Sequence, residues 1–577
     1  MAVNIPGLVA VFMFYLFILG IGIWASRKSK REEKKCSGDK SEVAMVGGRN
    51  LQLLVGIFTT TATWVGGGFI NVIAEAVYLP QLGLIWTQAP IGYSISLIVG
   101  GLVFVKPMRS KQYVTMLDPF QIYFGNTMSS LLLIPALFAD IFWSAAILAA
   151  LGATLSVILD IPIYVSIILS ACVVILYTLL GGLYSVVYTD LIQTFFIVIS
   201  LCCCVPFAIM NPAVADIKYT MLNELYQKPW LGKLEVNHIG RWIDDLLYLI
   251  LGGIPWQVYF QRVLAASSVP QAQITSYVAG IFCFILALPS IIIGGVAVST
   301  DWNQTSYGLP TPNERQESGM ILPIVLQHLC PGYISILGIG AISAAVMSSA
   351  DSSLLATSSM FSRNIYKKII RKKAADNEVI WVMRMTIILF GAAATTLAIL
   401  SQSIYGLYFL SVELIYAVLF PQLVCILFVP QTNAYGSAAG YIIGLTMRIL
   451  AGESFLQIPP FIQYPGMFFK DGKYVQLFPF KTFTMLLSLL SIVIFSHLAS
   501  FLFKNRLLEK KFDVFKITDK MPSSPEEQIV LHDKPGPEPD RKQLSCFTEQ
   551  TTAMGFILFQ LVSHSLRNIW SNDNVIM

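Results

Sequence analysis

Charge is what this chain has least of. Only 12% of its 577 residues are Asp, Glu, Lys or Arg, against 55% hydrophobic, and the mean hydropathy is +0.68. A soluble domain carries about twice that share of charge, so an ordinary water-facing surface is excluded. Histidine is scarce as well: His238, His328, His497, His532 and His564 are scattered without a cluster. No phosphate loop, HExxH helix or nucleophile elbow occurs, which leaves an enzyme as the least favoured reading. Most of the nine cysteines lie inside apolar stretches (Cys172, Cys202, Cys203, Cys204, Cys283, Cys425), so neither a disulfide framework nor a metal cluster is expected. The formal charge of +5 is carried by Lys and Arg beside apolar runs. That pattern suits membrane topology and contact with membrane lipid, not nucleic acid.

What the chain has in abundance is apolar length. Runs near the roughly 20 residues that cross a bilayer fall at 6–26, 51–78, 84–105, 130–158, 163–180, 189–211, 241–262, 272–299, 325–362, 379–402, 404–430, 432–452 and 481–503. Thirteen transmembrane helices are therefore expected, in an all-α integral membrane protein. Basic residues follow the first run (Arg27, Lys28, Lys30, Arg31, Lys34, Lys35) and do not precede it, the reverse of a cleavable signal. The amino terminus is thus expected outside. Alternation then puts Lys106, Arg109, Lys111 and the run Arg363, Lys367, Lys368, Arg371, Lys372, Lys373 inside, as the positive-inside tendency requires. The sequon at Asn303 falls outside, open to glycosylation. From 504 the chain turns polar and reads as a disordered cytoplasmic tail, in which AMGFILFQLV is too short to span.

Two apolar runs are interrupted. TTTATWVGGGFI at 59–70 sets four threonines, a tryptophan and three glycines inside the second, and LGGIPWQVYFQR at 251–262 breaks the seventh. Glycine costs a helix about 1 kcal/mol relative to alanine. Backbone groups left unpaired in hydrocarbon cost several more, so such breaks persist where they line a cavity or hold a ligand. The plainer reading is close helix packing at glycine. Two breaks five spans apart favour an inverted repeat of five plus five helices, each opening on a discontinuous helix that meets its counterpart at the midplane.

The side chains around the breaks are aromatic: Trp64 and Trp256 at the breaks themselves, with Tyr93, Trp143 and Tyr408 on neighbouring spans. Midspan tryptophan is unusual. Aromatic faces hold quaternary ammonium groups, which cannot donate a hydrogen bond, while core packing is the alternative for any single ring. In GIGAISAAVMSSADSSLLATSSMF at 338–361, hydroxyls crowd around Asp351. An intramembrane carboxylate is normally functional, and oxygen donors suit a hard cation such as sodium.

TATWVGGGFIN, PMRSKQYVTMLDPF, GGLYSVVYTD, GGIPWQVYFQRVL, STDWNQTSYGLP and SAAVMSSADSS together resemble the sodium/solute symporter family, in its choline-carrying branch, from residue 1 to about 512. The resemblance implies a LeuT-like thirteen-span fold and sodium-driven, chloride-dependent choline uptake at the plasma membrane of presynaptic terminals, for acetylcholine synthesis, with no organic cofactor. It implies a sodium site at Ala62, Val65, Ala345, Ser348 and Ser349, with Asp351 and Ser352 as adjacent helpers. It also implies a choline cage drawing on Trp64, Tyr93, Trp143 and Trp256. Tyr408 stands where that branch has tryptophan in YGLW, a smaller π face. EEQIVL at 526–531 has the pattern of an acidic dileucine signal, which an endocytic adaptor would read in recycling vesicles; chance occurrence is the alternative.

The expected layout is a first helix and basic loop at 1–50, repeats at 51–211 and 241–430 separated by an extracellular loop at 212–240, two added helices at 431–503 and the tail at 504–577. Association with a second copy is left open. A relative carrying a neutral solute would place polar residues at Trp64 and Trp143, and a channel would not need paired breaks around an occluded site. Glu75, Asp140 and Glu413 are intramembrane carboxylates without an assigned role; pairing along the pathway and an interfacial position are both open.

Overall fold

The computed structural model describes residues 16–25, 40–159, 161–401, 404–453, 458–470 and 473–518, with isolated positions 9, 12, 13 and 27. Part of the first run, most of its basic loop, and the tail with EEQIVL lie outside the described residues. The chain is a helical bundle, and among the described residues its strands form one short hairpin, Phe468–Lys470 paired with Lys473–Val475.

In chain order the principal helices are α1 Leu53–Trp64 and α2 Gly67–Tyr78, α3 Leu84–Ser110, α4 Asn126–Leu159, α5 Ile163–Gly181 and α6 Leu183–Ile209. Then come α7 Ile239–Gly252, α8 Gln257–Ala265 and α9 Val269–Val298. They are followed by α10 Ile321–Leu329, α11 Gly332–Met360 and α12 Asp376–Leu400. The set closes with α13 Ile404–Phe428, α14 Ala434–Leu450 and α15 Phe480–Lys504.

Among the described residues, eight helices are long and apolar enough to cross a membrane, or nine if α1 and α2, bent by 48°, form one span. That is fewer than the thirteen expected. The shortfall has local causes. The seventh run divides into α7 and α8, and α8 carries Gln257, Gln261 and Arg262, which lowers its hydropathy. α14 is 17 residues long. The ninth run, expected as one piece from 325, divides at Pro331, which caps α11 and cannot donate into a continuing helix, although Gly332–Ile370 still counts as one span.

α1 lies against α6, α9 and α11, and α2 against α4, α9 and α11. The bend between them follows from sterics. A Cβ at Gly66 would fall 1.6 Å from Ser349 Oγ, and one at Gly67 would fall 1.8 Å from Val346 Cγ2. Only a bare backbone can pass α11 this closely. The glycines thus serve close approach and the 48° change of direction together.

The two basic segments share one end of the bundle. The buried Asp118 accepts from the Val114 N–H at 2.8 Å, from Lys368 Nζ at 2.7 Å and from Asn364 Nδ2 at 3.0 Å, so it joins the loop after α3 to the continuation of α11. Burial alone would raise this carboxyl, but the charges of Arg363 and Lys368 outweigh it and hold it down at about 2. Because the folded value lies below the ordinary one, its stabilising contribution is complete above the usual carboxylate range and lost as pH falls toward 2.

Gly67→Ala is expected to lower the thermal unfolding midpoint of the purified protein clearly, since overpacking of this kind costs about 1–3 kcal/mol or more. Gly332→Ala, where a Cβ would meet nothing within 4 Å, is expected to leave it nearly unchanged.

Candidate functional site

The break between α1 and α2 is where the five sequence-selected aromatic residues meet. Trp64 ends α1, Tyr93 comes from α3, Trp143 from α4, Trp256 from the link between α7 and α8, and Tyr408 from α13. All are buried. Ring centroids are 4.9 Å apart for Trp64–Tyr93, 5.9 Å for Trp64–Trp143 and 6.5 Å for Trp64–Trp256. They are 4.6 Å apart for Trp143–Trp256 and 6.0 Å for Tyr93–Tyr408. Local structure holds the indoles: Trp256 Nε1 donates to the Gly252 carbonyl at 2.9 Å, closing the turn at the second break. Trp64 Nε1 is buried without a hydrogen-bond partner, so this indole presents its rings, not its N–H, to its neighbours. Tyr408 also lies against the first turn of α2, 3.5 Å from the place of a Gly68 Cβ.

One helical turn away, buried oxygens converge. Ser349 Oγ donates to the Thr63 carbonyl at 3.2 Å and the Ala62 carbonyl at 3.4 Å. The Ala345 carbonyl lies 3.5 Å from the place of a Gly66 Cβ. Val65, at the C-terminus of α1, sends its own N–H to Thr61 at 2.8 Å, and its φ of −83° and ψ of 61° are non-helical. The donors are carbonyl and hydroxyl oxygens, the set that suits a hard monovalent cation.

Two of the sequence-selected serines point elsewhere. Ser348 donates to Asp190 on α6. Ser352 accepts from Arg262 Nη2 at 2.5 Å and Thr63 Oγ1 at 3.5 Å. Asp190 also accepts from Thr59 at 2.5 Å and faces Arg262 at 3.6 Å. Asp351 is buried on the same helix, close enough to act on the Arg262 charge. Asp190 and Arg262 were not singled out from sequence. Asp190 is the second residue of the run begun at 189, a place where an interfacial carboxylate is ordinary, and only packing puts it among the serines.

The three unassigned carboxylates separate. Glu413 is paired with Lys481 Nζ at 2.6 Å and with Arg448. Asp140 accepts from Thr357 at 2.9 Å. Glu75 is buried on α2, and its Oε2 has no hydrogen-bond partner. Asn303 is exposed in the loop after α9.

Residues 45–444 match the model of the sodium:solute symporter family. The chain belongs to that family. It is therefore a multi-pass membrane carrier, not an enzyme. It is 58% identical over 518 residues to high-affinity choline transporter 1 of Torpedo marmorata, covering 89% of each chain. It is 56% identical over 516 residues to the human protein of that name, again over 89% of each. The Drosophila melanogaster protein of that name is 49% identical over 521 residues, 90% of this chain and 82% of its own. In structure the chain resembles a sodium-coupled sialic acid symporter solved in a substrate-bound outward-open state, with a TM-score of 0.67 at 18% identity over 85% of this chain and 97% of that one.

Asp190→Asn is expected to destabilise the protein by up to about 3–5 kcal/mol, because it leaves the buried Arg262 charge with only Asp351 to offset it. Arg262→Met with Asp190→Leu is expected to recover much of the loss. Thermal midpoints of the three proteins check both statements.

Proposed function

We propose that the chain carries choline into the cell with sodium, by alternating access across the plasma membrane. One observation carries this: five buried aromatic rings converge on a helix break, and the same break presents carbonyl oxygens to Ser349 on α11. Identity of 56–58% to proteins named high-affinity choline transporter 1 supports choline as the solute. A quaternary ammonium offers only diffuse charge, which indole and phenol faces accept at up to about 2 kcal/mol per desolvated face.

The mechanism follows from which elements hold what. Trp64 sits at the bend of α1 and α2, whereas Trp143 rides on the long α4 and Trp256 on the α7–α8 link. A change in the 48° bend therefore moves one wall of the cage against the others. Sodium held by Ala62, Val65, Ala345 and Ser349 would tie α1 to α11 and favour the bend in which the cage accepts choline. Ser348, through Asp190, and Ser352, through Arg262, hold the surrounding helices in register for that contact. Both cargoes are cations, so an inside-negative potential favours entry of each by about 2.3 kcal/mol per charge per 100 mV.

The same reading includes thirteen spans, a LeuT-like inverted repeat at 51–211 and 241–430, the amino terminus outside, glycosylation at Asn303, chloride dependence, and supply of choline for acetylcholine synthesis. The 48° break of α1 and α2 and the short break between α7 and α8 support the paired repeats. Transport of a different small organic solute by the same family fold is the competing reading. The ring cluster counts against it, since a neutral polar solute needs hydrogen-bonding groups where Trp64 and Trp143 stand.

Radiolabelled choline uptake into cells expressing the chain is expected to collapse when sodium is replaced by an impermeant cation; persistence would end the coupling claim. Trp64→Ala is expected to weaken apparent choline affinity by about tenfold or more, and Tyr408→Trp to strengthen it by enlarging the π face. Competition by neutral solutes but not by organic cations would favour the other reading.

A further inference from the structure

The basic end of the bundle holds a cavity of about 480 Å³ lined by Glu42, Asn126, Arg363, Lys367, Lys368 and Lys372. Its walls come from three places: the segment before α1, the start of α4 and the continuation of α11. The charges within it are unevenly matched. Glu42 is taken by Arg49, at 2.6 Å and 3.0 Å. Lys368 pairs with Asp118 at 2.7 Å, and Lys367 with Asp376 at 3.2 Å. Arg363 Nε stays 3.6 Å from Asp118 Oδ2, beyond hydrogen-bond reach, and is buried without a hydrogen-bond partner. Lys372 is exposed at the rim and has no acidic partner among the described residues. Among the described residues the lining itself carries four cations (Arg363, Lys367, Lys368, Lys372) and one carboxylate (Glu42).

A lining dominated by cations suits a phosphate group, which carries about −1.5 to −2 at neutral pH. A guanidinium with N–H groups to spare is the side chain best shaped to receive its oxygens. The volume lies in the range of small-ligand sites, about 300–1,000 Å³, far more than a single halide fills. The cavity also sits where helices end among basic loops, the position in which anionic headgroups are bound.

We propose that this cavity binds the phosphorylated headgroup of an anionic membrane lipid through Arg363, Lys367, Lys368 and Lys372. The bound headgroup would bridge the end of the helix that carries Ser348 and Ser349 to the start of α4 and the segment before α1. It would thereby bias the arrangement of this end of the bundle. The expected inside orientation supplies such lipids in the cell, but binding in detergent does not depend on it. Failure here therefore leaves the transport reading untouched.

Binding of a fluorescent short-chain phosphatidylinositol bisphosphate to the purified full-length protein in detergent tests this. Saturable binding is expected, weakened about tenfold by Arg363→Gln and by Lys372→Gln, the loss of one charge-assisted contact each. Lys372→Gln alters an exposed residue, so an unchanged thermal midpoint separates lost binding from lost folding. Lys106→Gln, an exposed cation outside the cavity, is expected to leave binding as it was. An equal fall with Lys106→Gln, or binding no tighter than that of short-chain phosphatidylcholine, whose headgroup has no net charge, would overturn the site. Inositol trisphosphate binding more tightly than the lipid would overturn the lipid source in favour of a soluble polyphosphate.

Discussion

The passage of a bare backbone against α11 is the constraint on which the rest depends. At Gly66 and Gly67 the chain comes so near Ser349 and Val346 that no side chain fits. That approach ends α1 and restarts α2 at a different angle. It leaves carbonyls of α1 facing the Ser349 hydroxyl of α11, and it turns Trp64 toward rings from α3, α4 and the α7–α8 link. An unbroken helix at this position would satisfy its own backbone and present nothing to an ion. The energetic loss at the break is offset by packing on three sides and by hydroxyl donors such as Ser349.

Around this point the bundle separates two kinds of polar chemistry that lie on one helix. On α11, Ser349 faces the break, while Ser348 and Ser352 face Asp190 and Arg262. Residues 348 and 349 differ by one position, hence by about 100° around the helix axis. Neighbouring serines therefore serve different partners. The buried Asp190–Arg262 pair is expensive to desolvate, and its several hydrogen bonds give it a specific geometry. It links α6, α8 and α11, three helices that flank the break.

Much of the functional reading was legible before any coordinates. The paired glycine-rich interruptions, midspan tryptophans and the hydroxyl-dense stretch each violate the ordinary composition of a membrane helix, and violations of that kind collect at sites. The residues missed were those that obey local expectation. Asp190 stands at the start of an apolar run, where a carboxylate is unremarkable, and Arg262 ends a short polar stretch after the second break. The helices among the described residues do not follow the apolar runs one for one, since a hydropathy run reports composition and not continuity. Pro331 and residues 253–256 divide runs whose average remains apolar.

Composition by itself determined the solvent: a chain with 12% charge and 55% hydrophobic residues cannot fold around a water-facing surface, and its backbone must be satisfied within helices. It pointed also to interruptions around 65–68 and 252–255, which the structure places at 65–66 and 253–256, because glycine and proline act locally. Only the tertiary structure decided which groups meet. Trp64 and Trp256 are almost two hundred residues apart in the chain, Thr63 and Ser352 are 289 apart, and no local rule relates them. Which serine faces the break and which faces Asp190 depends on the rotation of α11 against its neighbours, and that rotation is set by side-chain packing across the whole bundle.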